Sequence, residues 1–188
     1  MTASTTATGI PGYVAGIWNI DPVHSEVGFS VRHMMVSKVR GRFNTFSGQL
    51  VTGEDPLHSS VTAEIDLASI ITGNEQRDNH IRSADFFEVE TYPTMTYRST
   101  GVRLDGGDYV LDGELTLKGV TKSVPLTLEL NGFGPDAYGG TRAGFTATGE
   151  INRKDFNVNF DAPMQNGGVV VSDKITLQLE IEAVLATE

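Results

Sequence analysis

From Lys174 to Ala183 the chain alternates without a break: Ile175, Leu177, Leu179, Ile181 and Ala183, continued by Leu185, on one parity, Lys174, Thr176, Gln178, Glu180 and Glu182 on the other. Side chains of an extended strand point to opposite faces in turn, so this segment is a half-buried strand with one apolar face. The period recurs in Val27, Phe29 and Val31, in a less regular run over 38–50, and in Val61, Ala63 and Ile65. It continues in Met95, Tyr97 and Ser99, in Tyr109, Leu111, Gly113, Leu115 and Leu117, in Val124 to Leu130, and in Phe145, Ala147, Gly149 and Ile151. These make about eight strands, several longer than the usual five or six residues. Only residues 69–87 read as helical, too little to cover so many apolar faces, so the faces must cover one another. Long strands in sequential order favour an all-β, extended, eight-stranded antiparallel up-and-down barrel over a sandwich, because closure also removes the edges.

The punctuation agrees with that order. Residues 105–108, DGGD, predict a tight hairpin turn. KGVTK at 118–122 predicts another turn, and Pro125, which cannot donate to a ladder, must lie at a strand start, a bulge or an edge. Residues 53–60, 132–141 and 152–168 read as loops, the last with room for a helical turn. The 188 residues suffice for one domain with a real core. Residues 1–16 contain no Lys or Arg and no long apolar run, so they read as a disordered leader before a single barrel domain over 17–188. That favours a cytoplasmic protein, although a secreted or periplasmic chain trimmed of its signal peptide would look the same.

Fourteen basic against 24 acidic residues give a net charge of -10, which argues against a nucleic-acid partner. There is no cysteine, so thiolate chemistry is excluded. An eight-stranded barrel is near the size at which side chains either fill the interior or leave room for one small ligand. Small inward residues, Gly41, Gly113, Gly149, Ala63, Ala147 and Ala183, suggest unfilled volume, and the few polar groups on the inward parity suit a hydrocarbon chain.

The polar residues concentrate in two places. Residues 69–87 hold Arg77, Asp78, His80, Arg82 and Asp85, and Thr72 with Glu75 predicts a capping box at the start of a short helix. Either Arg77, Asp78 and Arg82 hold a headgroup or they tie the helix to the barrel rim; Arg153 and Asp155 pose the same choice. Phe86 and Phe87 end the segment and are placed to close the barrel as a lid. The second concentration is a stretch between Glu26 and Glu54 without an acidic residue, which carries Arg32, His33, Lys38, Arg40 and Arg42. It is either a mouth that attracts a lipid phosphate or an anionic membrane surface, or a solvated hairpin face. Arg40 and Arg42 must share a face. His24, His33 and His80 lack paired metal-ligand spacing, and no nucleophile elbow, P-loop or dinucleotide fingerprint is present, so neither metal nor cofactor is expected.

Several segments taken together resemble a known family: DPVHSEVGFSVRHM (21–34), VRGRFNTFSG (39–48), NEQRDNHIRSADFFEVETYPTM (74–95), LDGELTLKGVTKSV (111–124) and INRKDFNV (151–158). Over roughly residues 18–186 the chain resembles the YceI-like family, the polyisoprenoid-binding, lipocalin-like proteins. The resemblance implies a lipocalin-like barrel with an apolar pocket for an isoprenoid or similar amphiphile, and a homodimer. The leader lacks the signal peptide of periplasmic members. The expected ligand contacts are Phe29, Val31, Arg40, Arg42, Phe43, Arg77, Asp78, His80, Arg82, Phe86, Phe87, Leu115, Leu128, Phe145 and Leu179. The expectation is a non-enzymatic carrier; the alternatives are an enzyme using His80 with Asp78, or His24, as acid-base groups, and a ligand-free interaction module.

Overall fold

The alternating segments join end to end into eight staves in a computed structural model that describes residues 8–34, 36–162 and 171–187. The first stave is β1 (Gly16–Ile20) with β2 (Glu26–His33), the second β3 (Ser37–Phe43) with β4 (Phe46–Thr52), and the third β5 (Ser60–Asp66) with β6 (Ile70–Ile71). After the helix α1 (Glu75–Arg82) come β7 (Thr94–Asp105) and β8 (Asp108–Leu117), with the short β9 (Val120–Ser123) folded back on β8. The last three staves are β10 (Leu126–Pro135), β11 (Thr141–Asn152) and β12 (Val171–Leu185). Each stave pairs antiparallel with the next, and β12 returns to the first, with Leu177 opposite Phe29 and Ala183 opposite Ile20. The all-β closed barrel expected from the alternation is therefore present, in up-and-down order.

The first three staves break at one level, at residues 21–25, 44–45 and 67–69. The run read as one strand over 38–50 is thus two strands around a bend, fastened to the third stave where the Asn44 amide donates to the Ser69 carbonyl and the Thr45 amide to Ser69 Oγ. Gly106 and Gly107 form the two-residue hairpin turn with φ of +57° and +95°, the conformation such a turn requires. Pro125 falls in the break between β9 and β10. The loop expected over 132–141 is shorter: β10 continues to Pro135 past a register shift between Leu130 and Gly132. Asp136 then closes the turn, accepting from the amides of Tyr138 and Gly140 at 2.8 and 2.7 Å. Residues 8–15, expected in the disordered leader, carry structure: Tyr13 is buried and donates from its hydroxyl to the Gly53 carbonyl at 2.7 Å. Residues 1–7, and 163–168 of the long loop, lie outside the described residues.

Of the small inward residues, Ala63 and Ala147 line an internal cavity, but the three glycines do not leave volume as the sequence suggested. A Cβ on Gly41 would fall inside the ring of Phe29, one on Gly113 inside the ring of Tyr97, and one on Gly149 at 2.7 Å from Leu126. The glycines are sockets for neighbouring large side chains. Tyr97 is fixed in its socket by donation from its hydroxyl to the Val124 carbonyl at 2.8 Å. At the end where β1 starts, fully buried Trp18 and Ala183 pack with Leu50, Ala143 and Phe133 and close the barrel. Trp18 Nε1 donates to Thr52 Oγ1 at 2.9 Å, so the indole is satisfied as well as buried.

Outside the bend between β1 and β2, Arg142 reaches Asp21 and Glu182 at 2.8 Å and Asp136 at 2.9 Å. It ties the first, seventh and eighth staves to the turn before β11. Arg142, and after it His24, hold the Asp21 carboxyl down to about 2 from an ordinary 3.8.

Two outcomes follow. Gly113→Ala drives Tyr97 from its socket and lowers stability by about 1–3 kcal/mol, whereas Gly101→Ala, whose Cβ meets nothing within 4 Å, stays within about 0.5 kcal/mol; urea unfolding measures both. Because the Asp21 pKa is lowered on folding, its contribution is complete above pH 3.8 and is lost as pH falls toward 2, a loss of about 1 kcal/mol after solvent screening. Arg142→Met should remove that part of the acid sensitivity in unfolding curves taken between pH 5 and 2.

Candidate functional site: an apolar cavity under a helical lid

The barrel encloses a cavity of about 900 Å³ that extends from Ile10 and Tyr13, near the Trp18 end, to His33, His80 and Phe160 at the end carrying α1. All eight staves contribute to its wall. Phe29, Val31, Phe43, Leu115, Leu128, Phe145 and Leu179, each expected from the inward parity, line it. Polar groups gather toward its ends, Thr52 and Ser59 at one and Thr72, Asn74, Gln76, Arg77 and His80 at the other. A long apolar middle with polar ends suits an amphiphile lying along the barrel axis.

The lid is built from the segment 69–87. Its helix does not start with the expected Thr72–Glu75 box: Asn74 is the cap, its Oδ1 accepting from the Arg77 amide at 2.9 Å. Thr72 is engaged elsewhere. Its amide donates to Asp78 Oδ1 at 2.9 Å, its hydroxyl donates to the same oxygen, and Asp78 is buried. Arg77 donates to Thr72 Oγ1 and the Thr72 carbonyl at 2.8 and 2.6 Å. Arg82 donates to the carbonyls of Ala68 and Ile70 at 2.8 and 2.9 Å. These three residues tie the helix to β6 and the turn before it. Among them only Arg77 also lines the cavity.

Past the helix the chain turns back, with the Phe86 amide bonded to Ser83 and the Phe87 amide to Ile81, and both rings reach the cavity. His80 lies edge-on to Phe86 and Phe160 at 5.1 and 4.9 Å, and Phe87 tilts against Phe43 at 6.2 Å. Phe160 comes from the aperiodic segment after β11, where no spacing signalled it. It is held there by Arg153, almost fully buried, which donates to the carbonyls of Val158 and Phe160 at 2.8 Å and to Asp161 at 2.7 Å. Arg153 is thus a second clasp, which also lines the cavity, while Asp155 is exposed in the 3-10 turn beside it. Tyr13 and Ile10 were missed in the same way, being assigned to the leader.

Several expected residues lie off the cavity. Arg40 and Arg42 share a face as expected, but it is the outer, exposed face of β3, opposite Ser30 and Gly28, while Val39 and Phe43 point inward. The pairing of His80 with Asp78 does not occur, because residues two apart on a helix point in different directions. The carboxylate on His80 Nε2 is Asp85, at 2.8 Å. His24 is more than half exposed outside the barrel and bonded to Asp21 at 2.7 Å. Asp21, His24 and Glu182 converge, but Arg142 already bonds both carboxylates there.

A closed eight-stranded barrel around one long apolar cavity, with a short helix fastened over one end, defines a lipocalin-like barrel. The model of the YceI-like domain matches residues 18–183, and the chain belongs to that family. It is 42% identical to Protein YceI of an Escherichia coli strain over 151 residues, 79% of each chain. The structure of Burkholderia cenocepacia BcnA matches with a TM-score of 0.71 at 26% identity, covering 89% of this chain and 99% of that one. A polyisoprenoid binding domain from Saccharophagus degradans shares the fold with a TM-score of 0.65 at 18% identity, covering 92% of this chain and all of that one.

Removing Asp78 strands the Thr72 amide and hydroxyl under the lid. Asp78→Ala should cost about 1–3 kcal/mol and speed hydrogen exchange over residues 72–87 more than in β11 and β12.

Proposed function

We propose that this protein binds and carries a long-chain isoprenoid or similar amphiphilic lipid and performs no chemistry on it. The observation that carries the reading is the continuous apolar wall of a cavity of about 900 Å³ with its polar groups toward the ends. At roughly 30 Å³ for a water-sized unit that volume takes a chain of about 20 to 30 heavy atoms. Burying about 20 methylene-equivalents gains on the order of 16 kcal/mol gross, against association costs of about 4–15 kcal/mol. Long chains therefore bind and short ones do not. The Saccharophagus degradans relative, described as a polyisoprenoid binding domain, supports the same class of cargo.

The packing of His80 edge-on against Phe86 and Phe160 supports a lid residue over an acid-base group. A cytoplasmic setting and a homodimer remain part of the proposal, tested by cell fractionation and by light scattering of the purified protein.

Organic extraction followed by mass spectrometry, and uptake of added prenyl lipids of graded length, test the carrier reading. The expected result is a co-purifying or captured chain, with uptake rising with length. Leu128→Trp, on the cavity wall, should abolish uptake while the far-UV spectrum is unchanged. An empty extract together with no uptake at any length would overturn the proposal.

A further inference from the structure

The connection between β2 and β3 emerges from the barrel at the α1 end, and its root belongs to the cavity: Val31, Arg32, His33 and Val39 all line it. In the connection itself the two described residues, Met34 and Val36, are apolar and exposed. Val36 is 83% exposed and Met34 42%. Met34 also sits at φ +50°, a left-handed conformation that favours glycine or asparagine over a long side chain. A soluble hairpin needs neither an apolar tip nor a methionine at such a position.

The flanks of this tip are cationic. Arg32 lies directly opposite Lys38, and Arg40 and Arg42 continue along the outer face of β3. All four are exposed, and among the described residues none of the four forms an ion pair. In contrast Arg103, Arg142, Arg153, Lys154 and Lys174 are each bonded to carboxylates. In a chain with 24 acidic residues, four unpaired cations on one face are a local concentration, and like charges directly across a ladder oppose folding. Other exposed apolar residues have no such surroundings: Leu104 is followed by Asp105, and Tyr138 sits two residues after Asp136.

We infer that the β2–β3 hairpin is a docking finger for an anionic lipid bilayer, with Met34 and Val36 entering the headgroup region and Arg32, Lys38, Arg40 and Arg42 meeting the phosphates. The net charge of -10 does not prevent this, since charges beyond about 8 Å are screened at physiological salt. It orients the approach, because the rest of the surface is repelled. Docking in this pose brings the α1 end of the cavity against the membrane. That last step, transfer of cargo between bilayer and barrel, rests on the carrier reading, whereas the docking surface does not.

Flotation of the full chain with vesicles of phosphatidylcholine alone, or with 30% phosphatidylglycerol, is the test. Wild type should float with the anionic vesicles, lose most of that binding as salt is raised, and stay in solution with the neutral ones. Each cation near an anionic surface multiplies partitioning by roughly fivefold, so Lys38→Glu with Arg40→Glu should reduce it at least ~tenfold, and Met34→Ser with Val36→Ser should reduce it severalfold. Far-UV spectra and uptake of prenyl lipid from detergent solution show that the variants remain folded and keep cargo binding. Equal flotation of wild type and both variants, or none by wild type, overturns the inference. Aggregation of the Glu variant with vesicle binding retained does so too, since it assigns the cations to keeping the protein in solution. Flotation without cargo uptake would sustain the finger and sink the carrier.

Discussion

Closure of the sheet is the constraint on which the rest depends. β12, fifteen residues long, pairs with β11 along one side and with both β2 and β1 along the other. A barrel made this way satisfies its ladder internally and has one inward face per stave, so apolar residues at every second position form a continuous lining without help from helices. The coordinated bend of the first three staves follows from closure as well. Three adjacent strands that must stay hydrogen-bonded can only change direction together, which is why residues 21–25, 44–45 and 67–69 break at one level.

Charged residues in this protein serve mainly as fasteners. Arg77, Asp78 and Arg82 hold the lid, Arg153 holds the segment that brings Phe160 over His80, and Arg142 ties three staves to a turn. Guanidinium groups suit this work because one planar fork bonds several carbonyls or carboxylates at once. The basic stretch of β2 and β3 differs in gathering on one face four exposed cations without a carboxylate partner among the described residues, which is why it carries a function of its own in the reading above.

The fold was legible because its signal is a parity, and parity survives without knowledge of neighbours. The inward assignment of Phe29, Leu115, Leu128 and Leu179 needed nothing else. The lid was legible as an element but not in its bonding. Thr72 and Glu75 matched a capping box, yet Asn74 caps the helix, because Thr72 is drawn into the buried contact with Asp78. Phe160 and Tyr13 were illegible, since both lie in aperiodic segments and acquire their place from tertiary partners, Phe160 from Arg153 and His80 and Tyr13 from Gly53 and Phe133.

The alternation by itself determined an all-strand chain with one apolar face per strand, faces that must cover one another because one short helix could cover nothing more, and the length and order of the strands favoured a barrel over a sandwich. Whether that barrel was hollow was decided by tertiary structure alone. Gly41, Gly113 and Gly149, which suggested empty space, are filled by Phe29, Tyr97 and Leu126, and a cavity of about 900 Å³ remains nonetheless. The physical reason is that volume inside a barrel depends on how side chains from different staves interlock, a relation between residues distant in sequence that no local pattern encodes.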